Sequence, residues 1–157
     1  MNKKLNGIAR QIIEENQYLS LGTIDKENGI WLSPVCYAHD KDFNFYFVSM
    51  PVARHSKNID VNGKVMFTIF DSHQKWGEGL GLQVEGKAEK LGVTASLFAS
   101  KLYFSRKYPY GSILGSFAKG LRAFLKNSTF VFYKLTPSVF WMNNPDADVD
   151  ERVEVKP

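Results

Sequence analysis

Short apolar runs with a two-residue period, separated by turn-forming residues, are the feature that most constrains the fold of this chain. YLSLGTID at 18–25 and IWLSPVCYAH at 30–39 flank KENG, whose Asn-Gly pair favours a tight turn. Together they predict a β-hairpin. Pro34 lies inside the second run and cannot donate a backbone hydrogen bond, so we expect that strand at a sheet edge or in an interrupted ladder.

The rest of the chain continues this pattern and adds helices. Further strands are predicted for FNFYFVS at 43–49 (Phe43, Phe45 and Phe47 on one face), KVMFTIFD at 64–71, LQVEGKAEKL at 82–91, STFVFYKL at 128–135 and PSVFWM at 137–142. Helices are predicted at 5–16, 52–61 and 94–108, followed by a helical apolar stripe of Ile113, Leu114, Phe117, Leu121, Phe124 and Leu125. Antiparallel strands with helices at their ends favour a small closed or half-closed barrel.

Length and composition bound the class of protein. The 157 residues suit one domain, which we place at 1–142, with a helical insert at about 93–126 and an acidic, flexible tail at 143–157. No apolar run reaches the roughly 20 residues of a membrane span, and the first residues lack the apolar core of a secretion signal. Cys36 is the single cysteine, so no internal disulfide can form, and we expect a cytoplasmic location.

Several kinds of chemistry lack their residue patterns. His39, His55 and His73 have no partner at metal-ligand spacing, so no metal site is predicted. GEGLG at 77–81 precedes a strand, whereas a dinucleotide fingerprint requires a following helix. No nucleophile elbow or phosphate-binding Walker loop is present, and Cys36 reads as a structural thiol. If the chain is an enzyme, we expect a cofactor to carry the reaction.

A basic cluster between two strands points to an anionic ligand. SMPVARHSKNID at 49–60 combines Arg54, His55 and Lys57 with Ser56 and Asn58. Arginine, lysine and hydroxyl groups at the start of a helix are the donors that a phosphate requires, although the same residues also suit a solvated helix face. A second basic segment, 87–126, carries eight basic residues against Glu89 and leaves nucleic-acid binding as a less favoured alternative.

The order of these motifs resembles the FMN-binding split-barrel proteins, the relatives of pyridoxamine 5′-phosphate oxidase. The motifs that carry the resemblance are LSLGTID, GIWLSPV, FYFVS, ARHSKNI, KVMFTIF and LQVEGKAEKL, together with the closing YKLTPSVFWMNN. The resemblance implies a mainly β fold with α, a six-stranded antiparallel Greek-key split barrel with flanking helices. It also implies a homodimer with two FMN sites at the subunit interface.

The resemblance also assigns the residues of the site. The FMN phosphate would lie on Ser49, Arg54, His55, Ser56, Lys57 and Asn58. The isoalloxazine ring would border Trp31, Ser33, Pro34 and Val35, and Trp76 and Gln83 would reach the ring or the neighbouring subunit.

Three functions follow from this reading. The first is an FMN-dependent oxidoreductase acting on an unidentified small substrate. FWMNNPDADVDER near the end lacks the Arg-x-His pattern with which the oxidase grips its substrate, so pyridoxamine phosphate is not the expected substrate. The second is a binding or storage module for a flavin or haem without turnover, and a deazaflavin is an alternative to FMN. The third is the nucleic-acid-binding barrel.

Overall fold

The computed structural model describes residues 2–77, 79–106, 122, 126, 129–147 and 150–157. This part of the chain contains three helices and eight strands. In chain order they are α1 (Asn2–Glu15), β1 (Tyr18–Ile24), β2 (Ile30–Cys36), β3 (Ala38–His39), β4 (Phe45–Ser49), α2 (Arg54–Val61), β5 (Lys64–Phe70), β6 (Gly81–Lys90), α3 (Val93–Phe104), β7 (Val131–Asn143) and β8 (Arg152–Val155). No described helix has both the length and the apolar character needed to cross a bilayer.

All the strands form one antiparallel sheet. Its order is β2-β1-β5-β6-β7-β4-β3, and β8 pairs with β7. The expected class, an antiparallel split barrel with flanking helices, is confirmed, but the sheet has eight strands rather than six. One additional strand is the short β3, which follows Tyr37 and pairs with β4 instead of β1.

Strand β2 lies at the sheet edge, as Pro34 predicted. It pairs with β1 alone along Ile30–Cys36, with Pro34 opposite Ser20. The β1–β2 turn is fixed by Asp25, whose carboxylate accepts hydrogen bonds from the amides of Glu27 and Gly29. The chain therefore folds back tightly at this end and brings the end of β1 beside the start of β2.

Strand β7 is one continuous strand where the sequence predicted two. The two predicted strands, 128–135 and 137–142, are joined through Thr136 and Pro137, and Pro137 pairs opposite Gly86, at a shift in the β6–β7 register. A Cβ on Gly86 would lie 2.5 Å from the carbonyl oxygen of Thr136 and 3.1 Å from the Cα of Pro137. A glycine and a bulge together make room for the proline ring, so the ladder continues past it.

The predicted tail is partly ordered by the sheet. Residues 143–157 were expected to be flexible, yet β8 pairs with the end of β7 and Val155 is buried in the core. The amide of Lys156 donates to the side chain of Asn6 on α1. An apolar residue at alternate positions of RVEV gives this acidic segment a face to bury.

The main core lies between α1, α2 and one face of the sheet. Leu5, Ala9 and Ile13 form the buried stripe of α1, as their helical spacing predicted. The expected face of strand 43–49 is confirmed only for Phe45 and Phe47, because Phe43 lies in the turn before β4 with a positive φ of 56°.

A second apolar cluster lies between α3 and the other face of β4 and β7. It consists of Tyr46, Ala99, Phe104 and Phe132. The predicted helix at 94–108 is therefore present as α3, which ends at Phe104. The apolar stripe predicted between Ile113 and Leu125 lies outside the described residues.

Candidate functional site

Helix α2 starts beside the end of β4 and offers free donors there. Strand β4 ends at Ser49, and a turn in which Ala53 donates to the carbonyl of Met50 leads into the helix. Ala53 occupies the N-cap position and makes no side-chain capping hydrogen bond. The amides of the first helical turn therefore have no capping acceptor, and the positive end of the helix dipole faces the cluster.

A serine–imidazole–serine chain crosses the site from β2 to β4. His55 Nε2 lies 2.7 Å from the hydroxyl of Ser49, and His55 Nδ1 lies 3.1 Å from the hydroxyl of Ser33. The ring meets Phe47 edge to face, with the ring centroids 6.0 Å apart. Burial lowers the pKa of His55, so the imidazole is neutral at pH 7.

Ser56 presents a buried hydroxyl without a hydrogen-bond partner. Its side chain is fully buried in the first turn of α2, and its Oγ makes no hydrogen bond. The hydroxyl of Tyr133 on β7 is also buried and unpaired. Burial raises the pKa of Tyr133 and the neighbouring Ser56 hydroxyl lowers it, so the two hydroxyls lie close to each other. No hydrogen bond of normal geometry joins either of them to a described residue. Such unpaired buried groups are rare in folded proteins, and each calls for an explanation such as strain, a catalytic role or a bound water or ion.

Arg54 is held over Trp31 at the exposed side of the cluster. Its guanidinium lies 4.5 Å from the centre of the Trp31 ring and 3.3 Å from a carboxylate oxygen of Asp25. The amides of Gly29 and Glu27 hold the pKa of Asp25 below its usual value, so this carboxylate stays ionised. Lys57, the residue after Ser56, is exposed.

Asn58 fastens α2 to the β1–β2 hairpin. Its side-chain amide donates to the Thr23 hydroxyl at 3.0 Å, and Thr23 donates in turn to the carbonyl oxygen of Trp31 at 3.3 Å. Asn58 and Thr23 are both buried. These bonds fix the position of the helix start relative to strand β2.

An apolar groove lies on the opposite face of the sheet, across β2, β1, β5 and β6. It encloses about 510 Å³, and its walls include Gly22, Ile30, Leu32, Met66, Thr68 and Gln83. Ile30, Leu32 and Met66 are 75%, 68% and 56% exposed, which is high for large apolar side chains. Gln83 accepts a hydrogen bond from Arg152 of β8 at 2.8 Å. Thr23 touches both the groove and the cluster, so the two lie back to back across β1.

The structure brings together most of the residues that the sequence singled out. Those gathered around the start of α2 are Trp31, Ser33, Ser49, Arg54, His55, Ser56, Lys57 and Asn58. Gln83 and the exposed Pro34 belong to the outer surface, whereas Val35 points into the core. Trp76 is fully exposed in the loop after β5. Their roles in binding a cofactor stay predictions.

Sequence reasoning missed four residues of these surroundings: Thr23, Asp25, Tyr133 and Arg152. Two of them had a readable signal. Thr23 continues the inward positions of Leu19 and Leu21, and Asp25 opens the turn before Asn28-Gly29. Pairing between strands that are far apart in the sequence brings Tyr133 and Arg152 to these surroundings. No local sequence pattern predicts that pairing.

Comparison with known proteins identifies the fold family. The family model described as pyridoxamine 5′-phosphate oxidase matches residues 7–137, most of the chain. No curated protein is similar to this chain in sequence.

Among solved structures, a Clostridium acetobutylicum protein related to general stress protein 26, of the pyridoxinephosphate oxidase family, is 14% identical, with a TM-score of 0.69 over 99% of this chain and 96% of that one. The haem storage protein HutZ from Vibrio cholerae is 15% identical, with a TM-score of 0.67 over 85% of this chain and 90% of that one. An F420 reductase is 18% identical, with a TM-score of 0.58 over 83% of this chain and 94% of that one. These structures share the fold, and the family match shows that the chain belongs to the pyridoxamine 5′-phosphate oxidase family.

Proposed function

We propose that this protein binds FMN at the start of α2 and acts as a flavin-dependent oxidoreductase on a small substrate. The observation that carries the proposal is the unpaired, fully buried hydroxyl of Ser56 in the uncapped first turn of a helix that also presents Arg54 and Lys57. In a family named for an enzyme that acts on a phosphorylated compound, we explain such a hydroxyl by a ligand that supplies its missing partner.

The donors at the start of α2 fit a phosphate group. Arg54 offers a planar fork of N–H donors, Lys57 a mobile point charge, and Ser49 a hydroxyl at the strand end. Asp25 holds Arg54 through an ion pair that is exposed to solvent and therefore weak, so a dianion can compete for the guanidinium. We propose that Arg54 turns from Asp25 to the phosphate when the cofactor binds.

The edge strand β2 suits the flavin ring. Its outer edge is unpaired in the described sheet, so backbone groups near Trp31 and Pro34 are available to ring heteroatoms. Bound FMN would supply the hydride and electron transfer, for which the cluster around α2 has no side chain of its own. The protein would hold the phosphate, orient the ring along β2 and keep water from its buried face.

We further propose that two copies of the chain pair through the apolar groove. Ile30, Leu32 and Met66 expose apolar area on a sheet face that nothing covers within the described chain. Because the groove and the cluster meet at Thr23, a partner subunit there would border both cofactor sites. Sedimentation analysis of the wild type and Leu32→Glu tests this: a dimer that becomes a monomer supports it, and a monomeric wild type refutes it.

A binding module without turnover is the alternative, and haem and a deazaflavin are the alternative ligands. One observation disfavours haem ligation by His55, since both ring nitrogens already make hydrogen bonds. Nucleic-acid binding through the 87–126 segment stays the least favoured reading. Steady-state oxidation of NADH or NADPH by the FMN-loaded protein separates an enzyme from a carrier.

Titration with FMN and with riboflavin, which lacks the phosphate, tests the site. We expect micromolar or tighter FMN binding, at least tenfold weaker riboflavin binding, and loss of about two orders of magnitude in FMN affinity for Arg54→Ala/Lys57→Ala. Lys3→Ala/Lys41→Ala removes two exposed charges elsewhere and serves as the matched control. Unchanged FMN affinity in the first double variant would refute the assignment.

A further inference from the structure

The serine–imidazole–serine chain limits how many hydroxyl donors the site can present. His55 contacts Ser49 through Nε2 and Ser33 through Nδ1, and both contacts are within hydrogen-bond distance. The ring is held from the side by Phe47 and cannot leave this position without breaking both bonds. The protonation of His55 therefore dictates what each serine does.

A neutral imidazole has one N–H donor and one bare nitrogen. One serine then accepts from the N–H, while the other must donate its own proton to the bare nitrogen. Only the accepting serine keeps its O–H for a third group. An imidazolium has two N–H donors, so both serines accept from it and both keep their O–H groups free. Protonation of His55 thus raises the number of free serine O–H donors from one to two and adds a positive charge.

The charged groups around His55 do not supply a counter-charge. Its own helix carries Arg54, Lys57 and Asp60. The charge of Asp60 helps to raise the pKa of Tyr133. Asp25, at the end of β1, is engaged by Arg54.

Among the described residues, the side chains that the strands place against the ring are neutral: Ser33 of β2 and Phe47 and Ser49 of β4, with the Tyr133 phenol of β7 stacked on Phe47. Burial is accordingly the cause that lowers the pKa of His55. A dianion at the start of α2 would be the missing counter-charge.

We propose that binding of a dianionic phosphate at α2 is coupled to protonation of His55, with one proton taken up from solvent as the anion binds. This inference rests on the anion site of the proposed function, but it adds a role for His55. His55 is a positioning residue that sets the directions of Ser33 and Ser49 rather than a phosphate ligand. The site consequently releases its anion more readily as the pH rises.

Linkage fixes the form of the pH dependence. If one proton is taken up, the affinity for the anion rises by up to about tenfold for each pH unit of acidification, between the pKa of His55 in the complex and its lower pKa in the free protein. If no proton is taken up, the affinity of a permanently dianionic ligand changes little over this range.

The test compares two anions in three proteins between pH 5 and pH 8 at constant ionic strength. Sulfate is one probe because it stays dianionic throughout, and FMN is the other. The proteins are the wild type, His55→Gln, whose side-chain amide keeps one donor and one acceptor at every pH, and His73→Gln, which removes an exposed histidine as the control. We expect the sulfate affinity to rise on acidification in the wild type and in His73→Gln and to stay flat in His55→Gln.

The FMN data are read as the ratio of the wild-type and His55→Gln affinities, which cancels the titration of the phosphate itself. A ratio independent of pH, with FMN still bound, overturns the coupling and leaves the proposed function standing. Sulfate binding with a slope that His55→Gln removes, but without FMN binding, supports the coupling and refutes the proposed function. Absence of binding by either anion refutes both.

A second measurement covers the case in which His55→Gln does not fold. Imidazole nitrogen chemical shifts of wild-type His55 report its protonation directly. With saturating FMN or sulfate, we expect the neutral ring to become doubly protonated at pH 6.5. A ring that stays neutral in the presence of the bound anion contradicts the proposal.

Discussion

Helices α1 and α2 both pack against the sheet, but they bury opposite kinds of side chain. The inward stripe of α1 is apolar, with Leu5, Ala9 and Ile13 almost completely buried. The inward side of α2 buries Ser56 and Asn58 beside Ile59. One helix is built to stabilise the fold, and the other carries polar groups into the interior at a cost to stability.

The energies of the two arrangements differ in sign. A buried leucine or isoleucine side chain contributes about 1.5–3 kcal/mol through removal of apolar surface from water. A buried hydroxyl without a partner costs about 1–3 kcal/mol. Helix α2 is therefore held by Ile59, by the Asn58–Thr23 hydrogen bond and by the strands on either side of it. We explain the burial of polar groups on α2, in spite of its cost, by a ligand that forms hydrogen bonds with them.

The largest expected effect is on α1. Ile13→Ala removes a side chain that is 1% exposed and should lower the free energy of unfolding by about 2–5 kcal/mol. Urea denaturation of the cofactor-free protein measures this loss. Because α1 carries none of the donors at the start of α2, the FMN affinity of the fraction that stays folded should be unchanged. A large loss of FMN affinity without loss of stability would show that the two helices do not divide their roles as described.

The next effect concerns the bond that fastens α2 to the hairpin. Asn58→Ala leaves the buried Thr23 hydroxyl without its donor, and we expect a loss of about 1–3 kcal/mol in unfolding free energy. Thr23→Val and the double variant complete a thermodynamic cycle, in which the coupling energy should be about 0.5–3 kcal/mol. Additive losses in the double variant would mean that this hydrogen bond does not hold the helix.

A smaller effect should appear as pH dependence. Burial lowers the pKa of His55 in the folded protein below its unfolded value near 6.5, so the unfolded chain takes up the proton first as the pH falls. The stability contributed by the neutral ring is fully present above pH 6.5 and is lost as the pH falls from there toward the folded pKa. The difference in unfolding free energy between wild type and His55→Gln, measured at pH 7.5 and pH 5, should shift by on the order of 1 kcal/mol or less, because the ring is only half-buried. An opposite sign would contradict the burial of a neutral imidazole.

The contrast between the two helices was only partly readable in the sequence. The spacing of Leu5, Ala9 and Ile13 predicted the buried stripe of α1, and the basic residues at 54–57 predicted where an anion would bind. That the same segment would bury Ser56 and Asn58 was not predicted. Asn58 is bonded to Thr23, 35 residues away along the chain, and Ser56 lies near Tyr133, 77 residues away, so only sheet pairing brings these residues close.

For the strands, too, the sequence predicted the features that depend on neighbouring residues and missed one that depends on a residue far along the chain. Alternation and the Asn28-Gly29 turn predicted the β1–β2 hairpin, and Pro34 predicted its position at the edge. Proline is equally disfavoured inside a paired strand at Pro137, yet β7 continues through it, because Gly86 on the neighbouring strand supplies the space. Whether a strand can continue through a proline depends on the residue opposite it, and the sequence alone does not identify that residue.

The most direct test of the contrast is to measure stability and FMN affinity together in Ser56→Ala. Ser100→Ala is the matched control, because Ser100 is also buried in a helix but donates to the carbonyl of Leu97. Since Ser56 has no partner in the free protein, the account predicts that Ser56→Ala leaves the unfolding free energy unchanged or raises it by up to about 1 kcal/mol while FMN affinity falls severalfold. Ser100→Ala should lose stability and keep its FMN affinity. A Ser56→Ala protein that loses stability and binds FMN as tightly as the wild type would show that this hydroxyl serves the fold, and would contradict the account.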